Sequence, residues 1–562
     1  MPARPRPETL LLLAAAAVFA VLLFGRLSHP LLWQDEAETA VFGRRVLEVG
    51  YPKVHGPKGV LYEFGPDEAV GVKEGLDAYI GTTWGHFYLA APAVAWAEGA
   101  RDLYAQTFRL RLPFALTGAA GVAVFALAAL PVYQGERRRQ ILFAALFLLL
   151  SSLSISLVLH LREVRYYPVA VLLGGAILAL HLRCAVLGRG WRRRDALALV
   201  LLLVLLFHFF WAGFAAFAAL LLGDGLLRAL RARAEGGRRV RSALAGPAAV
   251  LVSLLAVAPW LVFFETFRVA RAFAGDLGPT PGTFVANLAF VLRHFLRYEL
   301  LGPVLALRVA VLGIQARARA RGAPGLPPES LACASFLAAF ALGYALLLCG
   351  NPLVYERYFV VLGPVLSLIF LLDAFALLEG VPRGLAPARR RASARGLALG
   401  LVGVAAASAL LRGPEIRGRL EEIARPYQGP LDFAVAYLRE AYPAPEELVI
   451  ATNYAPHVYA WYLGCRVVGG LGGGDPLAAA GRAPDVVIPR RRWPRGQAEL
   501  WRLLAQGGYR PRVLPVEDRH FNNAPSLSRS AAMPDPHRFR TPRSDDPRGR
   551  LTLYELRRGP AR

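Results

Sequence analysis

Two adjacent carboxylates, Asp35 and Glu36, follow the first long apolar run of the sequence, in the stretch LLWQDEAETA. The run covers about residues 10–27 and is long enough to cross a bilayer, so both acids stand where the chain leaves it. An ionisable residue at this depth is costly, which makes it a candidate for function. A carboxylate here can take a proton from a hydroxyl or an amine. The alternative interpretation is a pair of solvated loop acids at the end of a span.

Arginine occurs at three further span junctions that the same reasoning places outside, and at two of them it stands beside tyrosine. These residues are Arg111 in RLPFALTG, Arg165 with Glu163 and Tyr166 in HLREVRYYP, and Arg357 with Tyr358 in NPLVYERYF. Outward arginine opposes the usual charge bias of membrane proteins, and its planar guanidinium fits a phosphate diester. The alternative is an interfacial aromatic belt with snorkelling arginine side chains.

Together these residues suggest a group transfer from a lipid-linked phosphate. A sugar joined to a membrane-anchored phosphate needs a cationic clamp for the leaving phosphate and one base for the acceptor. The arginines can supply the clamp and Asp35 the base. A single displacement of this kind inverts the anomeric centre, and the phosphate leaves without needing an acid.

Composition indicates a helical membrane protein that would hold these residues at its loop ends. The 562 residues are 55% hydrophobic, with 65 Lys and Arg against 40 Asp and Glu. Repeated apolar windows predict about 11 spans, and the pattern allows about 11 to 13. A net charge of +25 would suggest nucleic acid in a soluble protein, but here arginine clusters in short loops between spans. The charge therefore indicates topology and contact with anionic lipid, and no nucleic acid is expected.

The arginine-rich loops GERRRQ, GWRRRD and ARRRASARG predict one cytoplasmic face, together with the N-terminus. The first run is expected to be a retained helix in the inner (plasma) membrane. The loop 28–110 then lies outside, and its apolar piece 85–98 is predicted to be a juxtamembrane or re-entrant helix, because a full span there would reverse every later loop. The long stretch 196–228 predicts a helix pair. Three of the four cysteines fall in or beside apolar spans and no CxxC motif occurs, which excludes a disulfide framework and a cysteine zinc site.

The character of the sequence changes near residue 413. Residues 1–412 are predicted to form the transmembrane catalytic domain, and 413–562 an exoplasmic α/β domain with strands at ELVIATN and PDVVIPRR. The end of this domain, about 518–548, is rich in Pro, Arg and Ser and predicts a loop or a flexible tail.

The order and spacing of four pieces resemble one known family. They are DEAETA, RLPFALTG, SISLVLHLREVRYYPVAVLLGGAILAL and ERYFVVLGPVLSLIF. With the C-terminal domain, this pattern is similar to the GT-C superfamily of integral membrane glycosyltransferases, near its protein O-mannosyltransferase and aminoarabinose transferase branch. The resemblance implies a GT-C fold and an inverting glycosyltransferase that uses a polyprenyl-phosphate sugar on the exoplasmic face.

The resemblance also implies roles for individual residues. Asp35 corresponds to the family's base, with Glu36 beside it, and Arg111 corresponds to the contact with the donor phosphate. Similar donor-phosphate roles are expected for Arg165, Arg357, Tyr166, Tyr358 and Lys58. The family's Lys or His before Pro-Pro is replaced here by TTWGHFYLAAP, so His86 or Trp84 is expected to stand in, and Glu163 is expected to contact substrate.

Three questions stay open at the level of sequence. No metal is expected to be required because the second outer loop has Glu163 but no DxD, although some members of the superfamily use a divalent cation. The sugar and the acceptor (protein, lipid or glycan) are not indicated. A transporter or flippase of lipid-linked sugars, or a non-catalytic envelope scaffold, is the alternative function. No internal repeat of the kind that transporters carry is evident.

Overall fold

The structure is a computed structural model that describes residues 6–56, 58–62, 71–73, 75–235, 240–274, 280–323, 325–380, 387–426, 428–469, 481–490, 496–519, 524–529, 536–540 and 547–557. Helices dominate up to residue 424. In chain order they are α1 Pro7–Phe24, α2 Gln34–Val49, α3 Gly85–Glu98, α4 Leu103–Ala128, α5 Arg137–Leu153, α6 Ile155–His160, α7 Tyr167–His181, α8 Arg193–Phe209, α9 Trp211–Ala234, α10 Val240–Phe263, α11 Thr266–Ala274, α12 Pro281–Tyr298, α13 Leu301–Ala320, α14 Pro328–Cys349, α15 Leu362–Gly380, α16 Pro387–Leu411 and α17 Gly413–Ala424.

The protein is a multi-pass membrane protein. Within the described ranges, eight helices are long and apolar enough to cross a bilayer, or nine if the bent pair of α16 and α17 counts as one span. The helices α5 and α8, with 17 residues each, fall just short in length. The predicted helix pair at 196–228 is confirmed as α8 and α9, which break at Phe210. The 14-residue α3 is not among the candidate spans.

Local sequence explains where the elements next to the first loop begin and end. The N3 residue Glu36 reaches back to the backbone N–H of Trp33 at 3.3 Å and so caps the start of α2. That helix stops at Gly50, whose φ of 86° is the left-handed conformation that glycine adopts without strain. Asp102 caps α4 by accepting from the N–H of Ala105 at 2.7 Å.

The C-terminal part is an α/β unit around a six-stranded sheet. Its helices are α18 Pro430–Ala441, α19 Pro456–Leu463 and α20 Gln497–Ala505, and its strands are β4 Val449–Thr452, β5 Arg466–Gly469, β6 Val486–Ile488, β7 Tyr509–Glu517 and β8 Arg550–Leu556. Strands β4 and β6 confirm the two strands predicted from ELVIATN and PDVVIPRR.

One edge strand of this sheet comes from the first loop, about 400 residues before its partner strand β5 in the sequence. That loop contributes β1 Gly59–Tyr62, and it also forms a small hairpin of β2 Val72–Lys73 and β3 Ala78–Tyr79. The order of the six strands is β1-β5-β4-β6-β8-β7, with β1, β5, β4 and β6 parallel. Gly59 pairs with Arg466 and Tyr62 with Gly469. The first loop and the C-terminal unit are therefore one folded layer, and the boundary at 412 stays a prediction.

The two largest buried apolar clusters among the described residues form most of the core. The larger lies among the membrane helices and includes Phe125 of α4, Leu178 of α7 and Leu368 of α15. The second joins α2 and α3 to the α/β unit, through residues such as Ala40, Val94 and Ile450. Burial of the second cluster holds the α/β unit against the loop ends of the membrane helices.

Candidate active site

A cavity of about 360 Å³ opens where the first loop meets the segments that precede α7 and α15. Its polar lining comes from α2, from the loop before α3 and from those two segments. The lining residues with polar side chains include Asp35, Tyr79, Arg165, Tyr166, Tyr355, Arg357 and Tyr358. The cavity therefore collects the first acid of the acidic pair, two of the three predicted arginines and both predicted tyrosines.

Asp35 and Arg357 form the centre of this cavity. Asp35 lies in the first turn of α2, and its side chain is 23% exposed. Its Oδ2 accepts a hydrogen bond from Arg357 Nη2 at 3.2 Å. The Arg357 guanidinium lies over the rings of Trp33 and Tyr355, at 4.7 and 4.4 Å from their centroids. The two rings and the bond to Asp35 hold this cation in place, and its buried Nε has no hydrogen-bond partner among the described residues.

Arg165 approaches the same cavity from the other side of α2. Its Nη1 donates to Glu38 Oε1 at 2.9 Å, to Thr39 Oγ1 at 3.2 Å and to the carbonyl oxygen of Asp35 at 3.3 Å. Burial raises the pKa of Glu38, and the charge of Arg165 opposes that rise. Arg165 Nε is buried and finds no partner in the described part of the chain. Two guanidinium groups thus line one cavity.

His86 and Trp84 lie behind the polar lining rather than in it. His86 is fully buried in the first turn of α3, and its Nε2 is 3.5 Å from Arg165 Nη1. Burial, and next the charge of Arg165, lower the pKa of His86 well below its usual range, so the imidazole is neutral. Trp84 donates from Nε1 to the carbonyl oxygen of Tyr79 at 2.5 Å. Both residues support neighbours of the cavity.

The two predicted tyrosines lie in the cavity wall. Tyr166 stacks on Phe210 with 5.0 Å between ring centroids, and Arg165 lies 5.7 Å from its ring. Tyr358 packs edge-on against Tyr355 at 5.4 Å. These contacts order the aromatic side of the cavity and leave its polar side to the arginines.

Glu36 and Arg111 are not in the cavity, although the sequence pairs Glu36 with Asp35. Glu36 is 0% exposed and accepts from Arg111 Nε at 2.8 Å and Nη2 at 2.6 Å. Arg111 Nη1 donates to the carbonyl oxygens of Leu27 and Pro30 at 3.2 and 2.7 Å, and Glu36 also accepts from the N–H of Val164 at 3.1 Å. This buried pair ties α2 to α4 and to the α7 junction.

Glu163 and Lys58 also lie outside the cavity. Glu163 is buried, and it accepts from Trp33 Nε1 at 3.1 Å while sharing a 2.5 Å hydrogen bond with His160 Nδ1. Lys58 is exposed beside β1, and its carbonyl oxygen accepts a bond from Arg45. Glu163 thus supports Trp33 beneath Arg357, whereas Lys58 belongs to the edge of the C-terminal sheet.

The lining or supporting residues that the sequence did not indicate include Trp33, Glu38 and Tyr79. The first two stand near Asp35 in the first loop, so their place beside a predicted site residue was an available signal. Tyr355 belongs to the NPLVYERYF junction, where the sequence did indicate arginine beside tyrosine. Tyr79 hydrogen-bonds Glu38 through the fold of the first loop, and no local pattern indicates that contact.

One wall of the cavity is apolar. These lining residues come from the α8–α9 break, the end of α10, α11 and the segment before α15, and they include Phe209, Phe210, Trp211, Phe264, Val269, Ala270 and Leu353. Among the described residues, no group of three or more His, Cys, Asp or Glu side chains is arranged to hold a metal ion. The site therefore combines a carboxylate, two cations and an apolar wall.

The solved structures that are similar to this chain include the following three, and one of them reaches a TM-score of 0.50. ArnT from Cupriavidus metallidurans in the apo state aligns over 88% of this chain and 94% of its own, with 17% identity and a TM-score of 0.50. The same protein bound to undecaprenyl phosphate covers 93% and 98%, with 16% identity and a TM-score of 0.47. Archaeoglobus fulgidus oligosaccharyltransferase, in complex with Zn and sulfate, covers 89% and 71%, with 13% identity and a TM-score of 0.49.

The chain thus shares the fold of the solved ArnT structure in the apo state, and this agrees with the GT-C fold that the sequence pattern predicted. At these identities the likeness shows the fold alone. No protein-family model matches the sequence, and no curated protein matches it either.

Proposed function

We propose that the protein is an inverting glycosyltransferase that moves a sugar from a polyprenyl-phosphate donor to an acceptor on the exoplasmic face of the membrane. The observation that carries the proposal is that Asp35, Arg165 and Arg357 open into one cavity with an apolar wall. A transfer from a lipid phosphate needs a base, cations for the phosphate and a surface for the lipid, and this cavity offers all three.

Arg165 and Arg357 bind the donor phosphate in this proposal. Both arginines line the cavity, and two aromatic rings hold the Arg357 guanidinium carbon at 4.4 to 4.7 Å from their centroids. A guanidinium that is already ordered loses little entropy when it binds a phosphate oxygen. The two groups also stabilise the negative charge that grows on the phosphate as the glycosidic bond breaks.

Asp35 acts as the general base. The acceptor hydroxyl or amine attacks the anomeric carbon, its proton passes to the Asp35 carboxylate, and the bond from that carbon to the phosphate oxygen breaks. The lipid phosphate leaves with the bonding electron pair, so the anomeric configuration inverts. Among the described residues, Asp35 is the carboxylate that lines the cavity, whereas both oxygens of Glu36 accept hydrogen bonds from Arg111. We therefore assign Glu36 and Arg111 a positioning role.

The apolar wall accommodates the first isoprene units of the donor. Phe209 and Trp211 flank the α8–α9 break, and Phe264 follows α10, so this wall continues into the membrane helices. An apolar chain that leaves the phosphate along this wall stays out of water, which favours binding in proportion to the area covered. The orientation of the protein in an inner membrane is the part of the proposal that rests on the arginine-rich loops of the sequence.

Replacing Asp35 by Asn tests the proposal. Asp35→Asn keeps the side-chain shape and removes the base, so we expect kcat for transfer from a polyprenyl-phosphate sugar to fall by about a hundredfold to ten-thousandfold. The affinity for undecaprenyl phosphate, measured in detergent with a fluorescent analogue, should not fall. That lipid is the leaving group, and in this proposal the arginines bind it.

Glu48→Gln is the matched control, because Glu48 is on the same helix and its pair with Arg45 is at the surface, with Glu48 43% exposed. Full activity of Asp35→Asn would sink the catalytic proposal. A transporter or flippase of lipid-linked sugars would move donor across vesicles with no glycosylated product from the wild type, and a scaffold would bind no donor at all.

A further inference from the structure

The chain near its C-terminal end contains a short segment without regular secondary structure that is nevertheless buried. We call residues 524–528 the C-terminal segment. Ala524 is 2% exposed, Leu527 is 5% exposed and Ser528 is 7% exposed. The composition around it predicted a loop or a flexible tail, so this burial needs a partner that holds the segment.

That partner is Glu356. Its Oε1 accepts from the backbone N–H of Leu527 and its Oε2 from the backbone N–H of Ser528, both at 2.7 Å. Glu356 is 3% exposed and also lies 3.5 Å from His160 Nε2 and from His294 Nδ1. A buried carboxylate is stable only when its oxygens are satisfied, and charge-assisted bonds are the strong ones. The segment therefore docks on Glu356 through its backbone.

The docked segment touches the cavity at a second point. Ala524 packs in a cluster with Trp33 and Tyr355, the two rings that lie over the Arg357 guanidinium. Glu356 itself precedes Arg357 in the same single turn, Glu356–Phe359. The segment thus supports Arg357 from two sides, through the backbone next to it and through the rings around it.

We propose that the C-terminal segment positions the Arg357 guanidinium for binding of the donor phosphate, through the bonds of its two backbone amides to Glu356 and the packing of Ala524 on Trp33 and Tyr355. This inference rests on the proposed function, because it assigns Arg357 to the phosphate. It adds positioning residues that lie about 170 residues after Glu356 in the sequence. Leu527 and Ser528 touch no reacting atom in this scheme.

The first test compares two substitutions of Ser528 in the purified full-length protein. Ser528→Pro deletes the N–H that Glu356 accepts. We expect the Kd for undecaprenyl phosphate to rise about tenfold, since a hydrogen bond to a charged group is lost next to Arg357. Ser528→Ala keeps that N–H and loses only the hydroxyl contact to His294 Nδ1 at 2.6 Å, so its Kd should stay close to that of the wild type. Arg540→Pro, at an exposed position of the same tail, controls for proline itself.

The second test asks whether the effect passes through Arg357. Arg357→Gln alone should raise the Kd for undecaprenyl phosphate, and adding Ser528→Pro to it should raise the Kd no further, because the group that the segment positions is gone. A purely structural role would weaken binding equally in both backgrounds. If Ser528→Pro does not fold, Glu356→Gln replaces it, because this variant keeps the shape of the side chain and removes its charge. Glu356→Gln should weaken binding when Arg357 is present and should have no further effect in Arg357→Gln.

The outcomes separate this inference from the proposed function. If the wild type binds undecaprenyl phosphate and Ser528→Pro binds it equally well, the inference is overturned and the proposed function stands. Additive effects of Ser528→Pro and Arg357→Gln overturn it as well. If the wild type binds no undecaprenyl phosphate, the proposed function fails, and this inference fails with it.

Discussion

At the scale of single residues, the adjacent acids Asp35 and Glu36 have opposite environments. Successive residues of a helix point about 100° apart, so one carboxylate of a pair can face the cavity while its neighbour faces the core. Asp35 is partly exposed beside Arg357, whereas Glu36 is fully buried with Arg111. One acid is available for chemistry and the other holds the helix that carries it.

The Glu36–Arg111 pair predicts a large effect on stability. Arg111→Met leaves the Glu36 carboxylate buried without its cation, and loss of one partner of a buried pair costs about 3–5 kcal/mol. We expect a clear fall of Tm in detergent for Arg111→Met, followed by intrinsic fluorescence. The double variant Glu36→Gln with Arg111→Met should regain part of the loss, because no buried charge is left alone.

Arg44→Met is the matched control for this prediction. Its pair with Glu98 is partly exposed, at 28% and 43%, and such pairs contribute about 0–1 kcal/mol. Equal losses of Tm in Arg44→Met and Arg111→Met would mean that the pair between α2 and α4 has no special role in the fold.

At the scale of elements, close packing between α4 and α7 sets the place of Arg165. A Cβ at Gly121 of α4 would lie 2.8 Å from the backbone nitrogen of Leu172 in α7, and one at Gly118 would lie 2.9 Å from the carbonyl oxygen of Leu161. These distances are too short for any side chain, so glycine lets the two helices approach. Because α7 begins two residues after Arg165, its position fixes one edge of the cavity.

Gly121→Ala should therefore push α7 away from α4. We expect a loss of about 1–3 kcal/mol in stability, typical of overpacking, together with weaker binding of undecaprenyl phosphate because Arg165 moves with α7. Gly223→Ala in α9 is the control, since a Cβ there meets nothing within 4 Å, and alanine favours helix over glycine by about 1 kcal/mol. A Tm of Gly121→Ala equal to or higher than that of Gly223→Ala would contradict this account of the contact between α4 and α7.

At the scale of the whole molecule, the first loop and the C-terminal unit lie on one side of the membrane helices. Strand β1 pairs with β5 from Gly59 to Tyr62, and Arg419 of α17 donates to the carbonyl oxygens of Leu22 and Gly25 at the end of α1. The α/β unit is thus fastened both to the first loop and to the first membrane helix. It cannot move as an independent domain without breaking this sheet.

This arrangement predicts which loops are reached from each side of the membrane. Lys58→Cys lies in the first loop, and Arg138→Cys, at a position that is 79% exposed, follows α4 and lies beyond one span. The four native cysteines are free and buried. A membrane-impermeant maleimide should therefore label Lys58→Cys in intact cells, and Arg138→Cys only after permeabilisation, because arginine-rich loops stay in the cytoplasm. Labelling of both in intact cells would show that α3 also spans the membrane.

The sequence predicted the helices and much of the cavity because both follow from local patterns. Apolar runs in the sequence predicted α1, α4 and the pair α8 and α9. Arg165 and Arg357, at span junctions, line the same cavity as Asp35 because the ends of packed helices lie close together. The sequence could not place Arg111, because its position depends on the direction in which the Glu36 side chain points from α2. The contacts of Glu356 with the amides of Leu527 and Ser528 left no trace in the sequence, since every residue except proline carries a backbone N–H.

The pairing of β1 with β5 has a consequence for biogenesis. The ribosome finishes β1 long before it reaches Arg466, so nearly all of the membrane helices must insert while β1 waits with an unpaired strand edge. Such an edge is a site for wrong association until its partner emerges, and long-range pairing is slow. A chain that stops before β5 would keep β1 without its partner and so stay prone to wrong association.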